Sequence, residues 1–302
     1  MPIIRKEEQL PLRSIVMVIY GQAGVGKTSL ANTAKSPILI DCDKGSDRAV
    51  NRTDTLVAST WDDILKDESE LANYKTVVID TAKAVLDDFL SIWAVKQDYR
   101  LKTNKLRMFG EIGEQFKSFV NRCRSLDIDI IIISHVKEEK DGDIIKLSPD
   151  VTGQSKDLII RIADQIGYIS MVNNQRVISF DPTDNRVGKN TAKIEDVVIP
   201  DSTSPEFDNF MDSFSQRVKD AIQRLTKDQQ EAIAVARDIQ GKIEAVKTAK
   251  EMNALLGEVN KLPISQQKAI KNNMIEKGKA IGVTINKSTK VFEDATDKSN
   301  PA

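Results

Sequence analysis

The sequence predicts an α/β fold with a mainly parallel central sheet, followed by a small all-helical C-terminal appendage. Three observations predict it. The segment Gly21-Gln22-Ala23-Gly24-Val25-Gly26-Lys27-Thr28 fits the phosphate-binding pattern G-x-x-x-x-G-K-[ST] at every fixed position. Short apolar runs at residues 37–43, 76–81 and 128–134 read as buried strands that end in polar residues. After Phe207 the apolar residues recur every three or four positions instead, the period of a helix face.

The glycine-rich segment lies between an apolar run, 15–20, that reads as a strand entering it and a stretch, 29–35, that reads as a helix leaving it. Gly21, Gly24 and Gly26 open backbone torsions closed to other residues, so several N–H groups can turn toward one polyphosphate. The dipole of the following helix favours the same negative charge. Lys27 would reach the β- and γ-phosphates, and the Thr28 hydroxyl would ligate Mg²⁺. With Gln22, Ala23, Val25 and Ser29, these residues form the expected nucleotide-binding set. A chance glycine turn without a ligand is the alternative; the complete register, with strand before and helix after, argues against it.

Composition narrows the classes further. The 302 residues suffice for one large domain or a domain with an appendage. Residues 1–206 are read as the P-loop domain, 207–283 as a helical module, and 284–302, polar and without apolar periodicity, as a disordered tail. With 40% hydrophobic and 29% charged residues the composition is that of a soluble globular protein. The net charge of −1 gives no global field for nucleic acid, so any such affinity must come from local basic patches. Cys42, Cys123 and His135 are too few for a disulfide framework or a Cys/His zinc site, and they suit a reducing cytoplasm. No apolar run nears the ~20 residues of a membrane span, and residues 1–12 lack a signal-peptide core.

Taken in order, residues 37–43 (PILIDCD) form a strand ending in two acids, and parallel strands of such a sheet end at the nucleotide. Residues 46–75 are mixed and polar, with a helix expected at 61–71. The run 76–81 carries Asp80 in the Walker B arrangement, whose carboxylate would hold the Mg²⁺ shell opposite Thr28; a helix-capping Asp is the competing reading. A helix is expected from Ala82 past Trp93. Next come Lys96, Arg100, Lys102, Lys105 and Arg107, with Trp93, Tyr99 and Phe109 in or beside the stretch. Cations neutralise phosphates and rings stack on bases, so Lys96, Tyr99, Arg100, Lys102, Lys105 and Arg107 are candidate contacts to a single strand. A solvated helix face with its aromatics in the core is the plainer reading and stands ahead.

Residues 111–126 resume a helical pattern, and 128–134 is the most apolar strand. It ends at His135, where a γ-phosphate sensor would sit, although a lone histidine is ordinarily a packing or surface residue. The charged stretch from 137, a turn signal at Asp141-Gly142, apolar 144–147 and polar 148–156 read as a hairpin or mobile loop that could relay nucleotide state. Strands at 166–171 and 176–180 lead to a surface loop, 181–190. Its cations, Arg186 and Lys189, are either solvated charge or a finger completing a neighbouring subunit's site. Further on, Ile222, Leu225, Ile233, Ala236, Ile239, Ile243 and Val246 share a helix face. Thr248-Ala249-Lys250-Glu251 reads as a capping box, and Pro263 separates two helices. The basic excess of this region is consistent with nucleic acid, with a solvated bundle again the plainer account.

These residues, in this order, resemble the RecA-like P-loop ATPases, and among them the small bacteriophage RecA-like proteins associated with single-strand annealing and recombination. The resemblance covers residues 12–195 and rests on Gly21 to Thr28, Ile40-Asp41-Cys42-Asp43, Val77 to Thr81, Ser134-His135 and Gly188-Lys189-Asn190. It implies ATP and Mg²⁺ as cofactors, DNA-stimulated hydrolysis, a ring or filament of identical subunits, and a cytoplasmic setting in an infected bacterium. Single-stranded DNA and a single-strand-binding protein are the implied partners. Asp43 falls where RecA-type enzymes carry a catalytic glutamate that readies water, and His135 where they carry a glutamine that senses the γ-phosphate. Lys189-Asn190-Thr191 resembles the Lys-Asn-Arg segment of archaeal-type relatives, whose cations act across the subunit interface. Thr191 replaces the Arg, so only Lys189 is carried over; Arg186 is added on charge and proximity. Residues 245–283 are similar, more weakly, to C-terminal modules of other phage recombination proteins.

Two functions of different class are consistent with these residues. One is an ATP- and Mg²⁺-dependent recombination protein that binds single-stranded DNA and promotes annealing or strand exchange. The other is a nucleotide-switched interaction module, a loader or scaffold for a replication or recombination partner. A small-molecule kinase is disfavoured by the lack of an Arg-rich lid segment after the core.

Overall fold

A computed structural model describes residues 12–142, 144–262, 264–286 and 289–294. Its first strand, β1 (Val16–Gly21), is buried along its whole length. Successive side chains of a strand alternate between faces, so Val16, Val18 and Tyr20 enter one apolar layer and Ile15, Met17 and Ile19 the other. A strand buried on both faces belongs in the middle of a sheet covered on both sides. The chain continues through α1 (Lys27–Ala31), β2 (Pro37–Asp41), β3 (Asp54–Val57), α2 (Trp61–Lys66) and β4 (Thr76–Asp80). A π-helical segment, Ala84–Phe89, leads into α3 (Leu90–Gln97) and then α4 (Lys105–Ser125). After these come β5 (Asp129–Asp141), β6 (Ile144–Pro149), α5 (Gly153–Ile162), β7 (Gln165–Val172), β8 (Gln175–Ser179), β9 (Lys189–Asn190) and β10 (Val197–Ile199).

The strands form one sheet in the order β10-β8-β7-β1-β5-β4-β2-β3, with β6 beside β5 and β9 beside β7. From β7 to β3 every pairing is parallel, while β6, β8, β9 and β10 pair antiparallel. The fold is therefore mixed α/β with a mostly parallel central sheet, as expected. Parallel register gathers the strand ends: Gly21 is level with His135 and Ile169, and Asp41 with Asp80. The opposite end of β1 is pegged by two buried carboxylates. Asp129 accepts the Ile15 N–H and Asp164 the Val16 N–H, each at 2.9 Å. Lys219 and Arg124 neutralise them at 2.6 and 3.2 Å.

Several elements depart from the sequence reading. α1 stops at Ala31 rather than 35, because Thr33 bonds the Leu30 carbonyl through its hydroxyl (2.7 Å) and Asn32 reaches the Asn51 carbonyl (3.0 Å). Short polar side chains that bond nearby backbone compete with the helix. β3 lies within the polar stretch 46–75, an edge strand whose exposed residues hide the alternation. α2 ends at Lys66, and a 3₁₀ turn, Glu68–Asn73, replaces the rest of the expected helix. α4 starts at Lys105, where the Asn104 side chain caps it by accepting the Arg107 N–H. β5 does not end at His135; it runs on to Asp141 and turns back as β6, so the hairpin is an extension of a central strand. α5 occupies part of the expected polar loop, its start held by Thr152, which donates through N–H and hydroxyl to Asp87 (2.9 and 2.8 Å).

The chain divides into two compact units, one of them Pro11–Gln223 and the other containing Arg224–Ala302. The division falls inside α6 (Phe210–Ala245) rather than at 207, because Met211, Phe214 and Val218 are buried in the α/β core and the Met211 N–H donates to Thr33 Oγ1 at 3.0 Å. The second unit has its own core, in which Ile239 and Ile243 pack with Met252 and Val259 of α7 (Ala249–Val259) and Met274 of α8 (Ile264–Ala280). The Thr248 cap forms as read, accepting the Glu251 N–H at 3.3 Å. This unit is not all-helical. β11 (Val283–Ile285) and β12 (Phe292–Asp294) pair antiparallel where a disordered tail was expected, because Val283 and Phe292 are buried in the unit's core. Residues 1–11, Asp143, Pro263, 287–288 and 295–302, with the side chains of Leu225, Ile233 and Ala236, lie outside the described residues.

Phe119 is fully buried, with its ring edge-on to Trp61 at 5.4 Å. Phe119→Ala is expected to cost ~3–5 kcal/mol through the cavity it leaves. Thr60→Ala, which removes the capping box of α2, should cost ~1 kcal/mol. Both tryptophans, Trp61 and Trp93, lie in the α/β unit. Urea unfolding followed by their fluorescence should therefore rank the variants in that order.

Candidate active site

β1 ends at Gly21, and the chain turns back through Gly24 and Gly26, at φ 78° and 83°, into α1. That left-handed backbone is open to glycine without strain. Lys27 is buried, and its ammonium donates to the carbonyls of Gly21 (3.0 Å) and Gln22 (2.8 Å), folding over the loop it belongs to. Burial pulls its pKa down, and the charge of Asp80 opposes that shift. The Thr28 hydroxyl donates to Asp80 Oδ2 at 2.6 Å. Burial raises the pKa of Asp80, the Thr28 hydrogen bond lowers it, and the charges of Asp43 and Asp41 raise it further. The structure thus brings the phosphate loop and the Walker B residue together. Ser29 is buried beside them, its hydroxyl accepting the Val50 N–H at 3.0 Å.

The two acids at the end of β2 differ in their surroundings. Asp41 is buried and accepts the N–H groups of Gly45 (3.1 Å) and Ser46 (3.0 Å). Burial by itself would raise its pKa; hydrogen bonds from the Ser46 side chain and the Gly45, Ser46 and Lys44 N–H groups outweigh burial and bring it below the usual carboxylate value. Asp43 is exposed, one residue beyond Cys42, whose N–H donates to the Asp80 carbonyl at 2.7 Å. Among the described residues no hydrogen bond or ion pair holds the Asp43 carboxylate.

A hydroxyl and one carboxylate side by side fit Mg²⁺. Among the described residues no group of three or more His, Cys, Asp or Glu forms a metal cage. Mg²⁺ commonly takes only one or two protein ligands, filling its remaining positions with water and substrate phosphate oxygens.

His135 is exposed and level with Gly21, and its carbonyl accepts the Asp150 N–H at 2.9 Å. Two contacts link the phosphate loop and its strand to the chain beyond His135. Gln22 Nε2 donates to Glu138 Oε1 at 2.8 Å, and the Tyr20 hydroxyl donates to the carbonyl of Val187 at 2.5 Å, with that of Leu147 at 3.4 Å. Burial raises the Tyr20 pKa, so the hydroxyl stays a donor. Motif reasoning missed Tyr20, which reads in sequence only as the last apolar residue of a strand.

Lys189 and Arg186 do not meet the phosphate loop of their own chain. Lys189 is level with Ile166 and, through β7, with Val18, well short of Gly21. Its ammonium donates to the Ile160 carbonyl at the end of α5 (2.9 Å). Arg186 lies 5.8 Å over the Tyr168 ring and donates to the Asp181 carbonyl at 3.2 Å; among the described residues its buried Nε has no partner.

In the basic stretch, Lys96 pairs with Asp62 at 2.7 Å, Arg100 with Asp98 at 2.9 Å, and Arg107 lies 4.0 Å from the same Asp98. Trp93 and Phe109 pack against the core, whereas Tyr99 is 72% exposed with Lys102 5.5 Å over its ring. Tyr99, Lys102 and Lys105 line one cleft of about 510 Å³ with Ile92 and Phe109. A second residue missed by motif reasoning is Arg176, on β8. Its Nη2 donates to the Pro200 carbonyl at 2.7 Å, and a Cβ placed on Gly26 would fall 2.7 Å from its Nη1.

The family model described as an AAA domain matches residues 13–192, more than half of the chain, from β1 through β9. Comparison with curated proteins finds no match.

A carboxylate whose pKa is raised in the folded chain destabilises it once ionised: stability is lost as pH rises from the unfolded value through the folded one. Asp80 is such a group. Asp80→Asn is therefore expected to leave the ligand-free protein at least as stable at neutral pH, while ATP hydrolysis falls by roughly 100-fold. Thermal melts and a phosphate-release assay on the same preparation check both halves.

Proposed function

The chain belongs to the AAA domain family, and from that premise we propose that it is an Mg²⁺-dependent ATPase of RecA-like build, a phage-type recombination protein whose cycle acts on single-stranded DNA. The 2.6 Å contact between Thr28 and Asp80 carries the nucleotide half of this reading. It joins the two motifs that must share one Mg²⁺, from strands separated in the sheet by β5.

The loop N–H groups and Lys27 would hold the triphosphate, and Thr28 with Asp80 would hold the metal. The metal that these two residues would hold would supply charge neutralisation for the triphosphate. Asp41 is engaged by the 44–46 turn, which leaves Asp43 to orient and deprotonate the attacking water. His135, level with Gly21, would sense the γ-phosphate. The Gln22–Glu138 and Tyr20–Val187 contacts supply a route from the phosphates to the β5–β6 hairpin. In a ring or filament, Lys189 and Arg186 would act on a neighbour's phosphates, Lys189 after leaving the Ile160 carbonyl. For the strand itself, Tyr99, Lys102 and Lys105 combine an exposed ring with two cations in one cleft, which suits stacking and phosphate contact. A single-strand-binding protein would be the partner that hands over such a strand. Among the described residues no helix is long and apolar enough to cross a membrane.

The second reading, a nucleotide-switched loader or scaffold, draws on the same stretch. Lys96 and Arg100 are paired with Asp62 and Asp98, which weakens the pull of this surface on a polyanion.

Hydrolysis should be measured with and without single-stranded DNA at two salt concentrations, with Lys27→Ala as control. A DNA-coupled ATPase is stimulated, loses that stimulation as salt rises, and is silent in Lys27→Ala. Hydrolysis indifferent to DNA, with nucleotide-dependent capture of a protein partner, supports the loader instead.

A further inference from the structure

We infer that Arg176 is a nucleotide contact within its own chain, a fixed guanidinium that closes the α/β-phosphate side of the glycine-rich loop. The inference rests on the ATP-site reading and deepens it.

Register brings the cation there. Gly21, the last residue of β1, is level with Ile169 of β7, and β7 continues past it to Val172. β8 then returns antiparallel, with Arg176 level with Met171, beyond the end of β1. The β7–β8 hairpin thus overhangs the phosphate loop and carries an arginine back toward it.

The guanidinium is held in place. It lies 5.4 Å over the ring of Phe207, itself buried, and Nη2 donates to the Pro200 carbonyl. On its remaining side stands Gly26, whose Cβ position is only 2.7 Å from Nη1. Gly26 is therefore constrained twice, by its positive φ and by this approach. Among the described residues no acceptor takes a hydrogen bond from Nη1 or Nε and no carboxylate forms an ion pair with Arg176. Asp201 is the nearby acid, and its carboxylate accepts the Thr203 N–H (2.9 Å) and hydroxyl (2.7 Å).

Arg176 stands against the glycine-rich loop at Gly26, the residue before Lys27, and among the described residues forms no ion pair. An oxyanion bridging Nη1 and the loop resolves that arrangement, and the fork of an arginine suits a phosphate. The location selects which phosphate. The loop N–H groups cradle the α- and β-phosphates, while Lys27 reaches the β and γ. Arg176 beside Gly26 therefore addresses groups that ADP and ATP share, and it binds both alike. Pre-ordering by Phe207 and Pro200 lowers the entropy lost on binding.

The test is titration of fluorescent ADP and ATP into wild type, Arg176→Ala, Arg176→Gln and Arg176→Lys, with thermal melts in the absence of nucleotide. The Ala and Gln variants should bind ADP and ATP more weakly by the same factor, roughly tenfold. Lys should recover part of the loss, and the nucleotide-free melts should not follow the order of affinity. Unchanged affinities in folded variants overturn the inference. So does a loss confined to ATP, which would place Arg176 at the γ-phosphate, or a loss that tracks the melts across all three variants, which would make it packing alone. If wild type itself binds neither nucleotide, the ATP-site reading fails first, and that result differs from any of these.

Discussion

A buried carboxylate against a hydroxyl, Asp80 against Thr28, is the contact around which the candidate site is arranged. Burial penalises the charge of Asp80, and the acids at the end of β2 add to the penalty. Asp41 is held by the 44–46 turn, whereas the penalty on Asp80 is one that the proposed divalent cation would offset. The parallel sheet is what makes the approach possible, since it delivers Gly21, Asp41 and Asp80 to the same edge by register. The apolar layers on both faces keep that register fixed, because a slip of one residue would turn Val16 and Val18 into the opposite layer.

The same edge is also where movement could begin. β5 passes the phosphate loop at His135 and continues as one arm of a hairpin, so whatever displaces the strand end displaces the hairpin. The hairpin is joined in turn to the 183–187 loop, where Val187 N–H donates to the Leu147 carbonyl at 2.9 Å and Leu147 N–H to the Asn185 carbonyl at 2.8 Å. Tyr20 binds this assembly to the strand that enters the phosphate loop. The strand that enters the phosphate loop and the surface beyond it are thus linked by a few hydrogen bonds.

The features legible in the sequence were local ones. The phosphate loop is eight consecutive residues, and Asp80 ends an unbroken apolar run; each pattern lies within one segment and needs no partner to be recognised. The division between Asp41 and Asp43 was half legible: the position of Asp43 pointed to it, but only the fold shows the 44–46 turn taking Asp41. Contacts between distant segments were not legible at all. Nothing near Lys96 in sequence announces Asp62 on another helix, and nothing near Arg176 announces Gly26. α5 was missed because its polar first turn resembles a loop and its apolar residues, Leu158 and Ile159, come late. β12 was missed because one buried ring, Phe292, in a polar tail carries no periodicity. Asn104 is an ordinary cap signal for α4, yet the basic stretch around it hid the helix start, which the sequence places only at 111.

The measurement that most directly tests the site is calorimetric titration of ATP into the purified protein, once with Mg²⁺ and once with a chelator. A site built on Thr28, Asp80 and Lys27 predicts saturable binding of one ATP per chain, weakened by ~10-fold or more when Mg²⁺ is removed. Protein that is folded by circular dichroism yet takes up no ATP in either condition would contradict it.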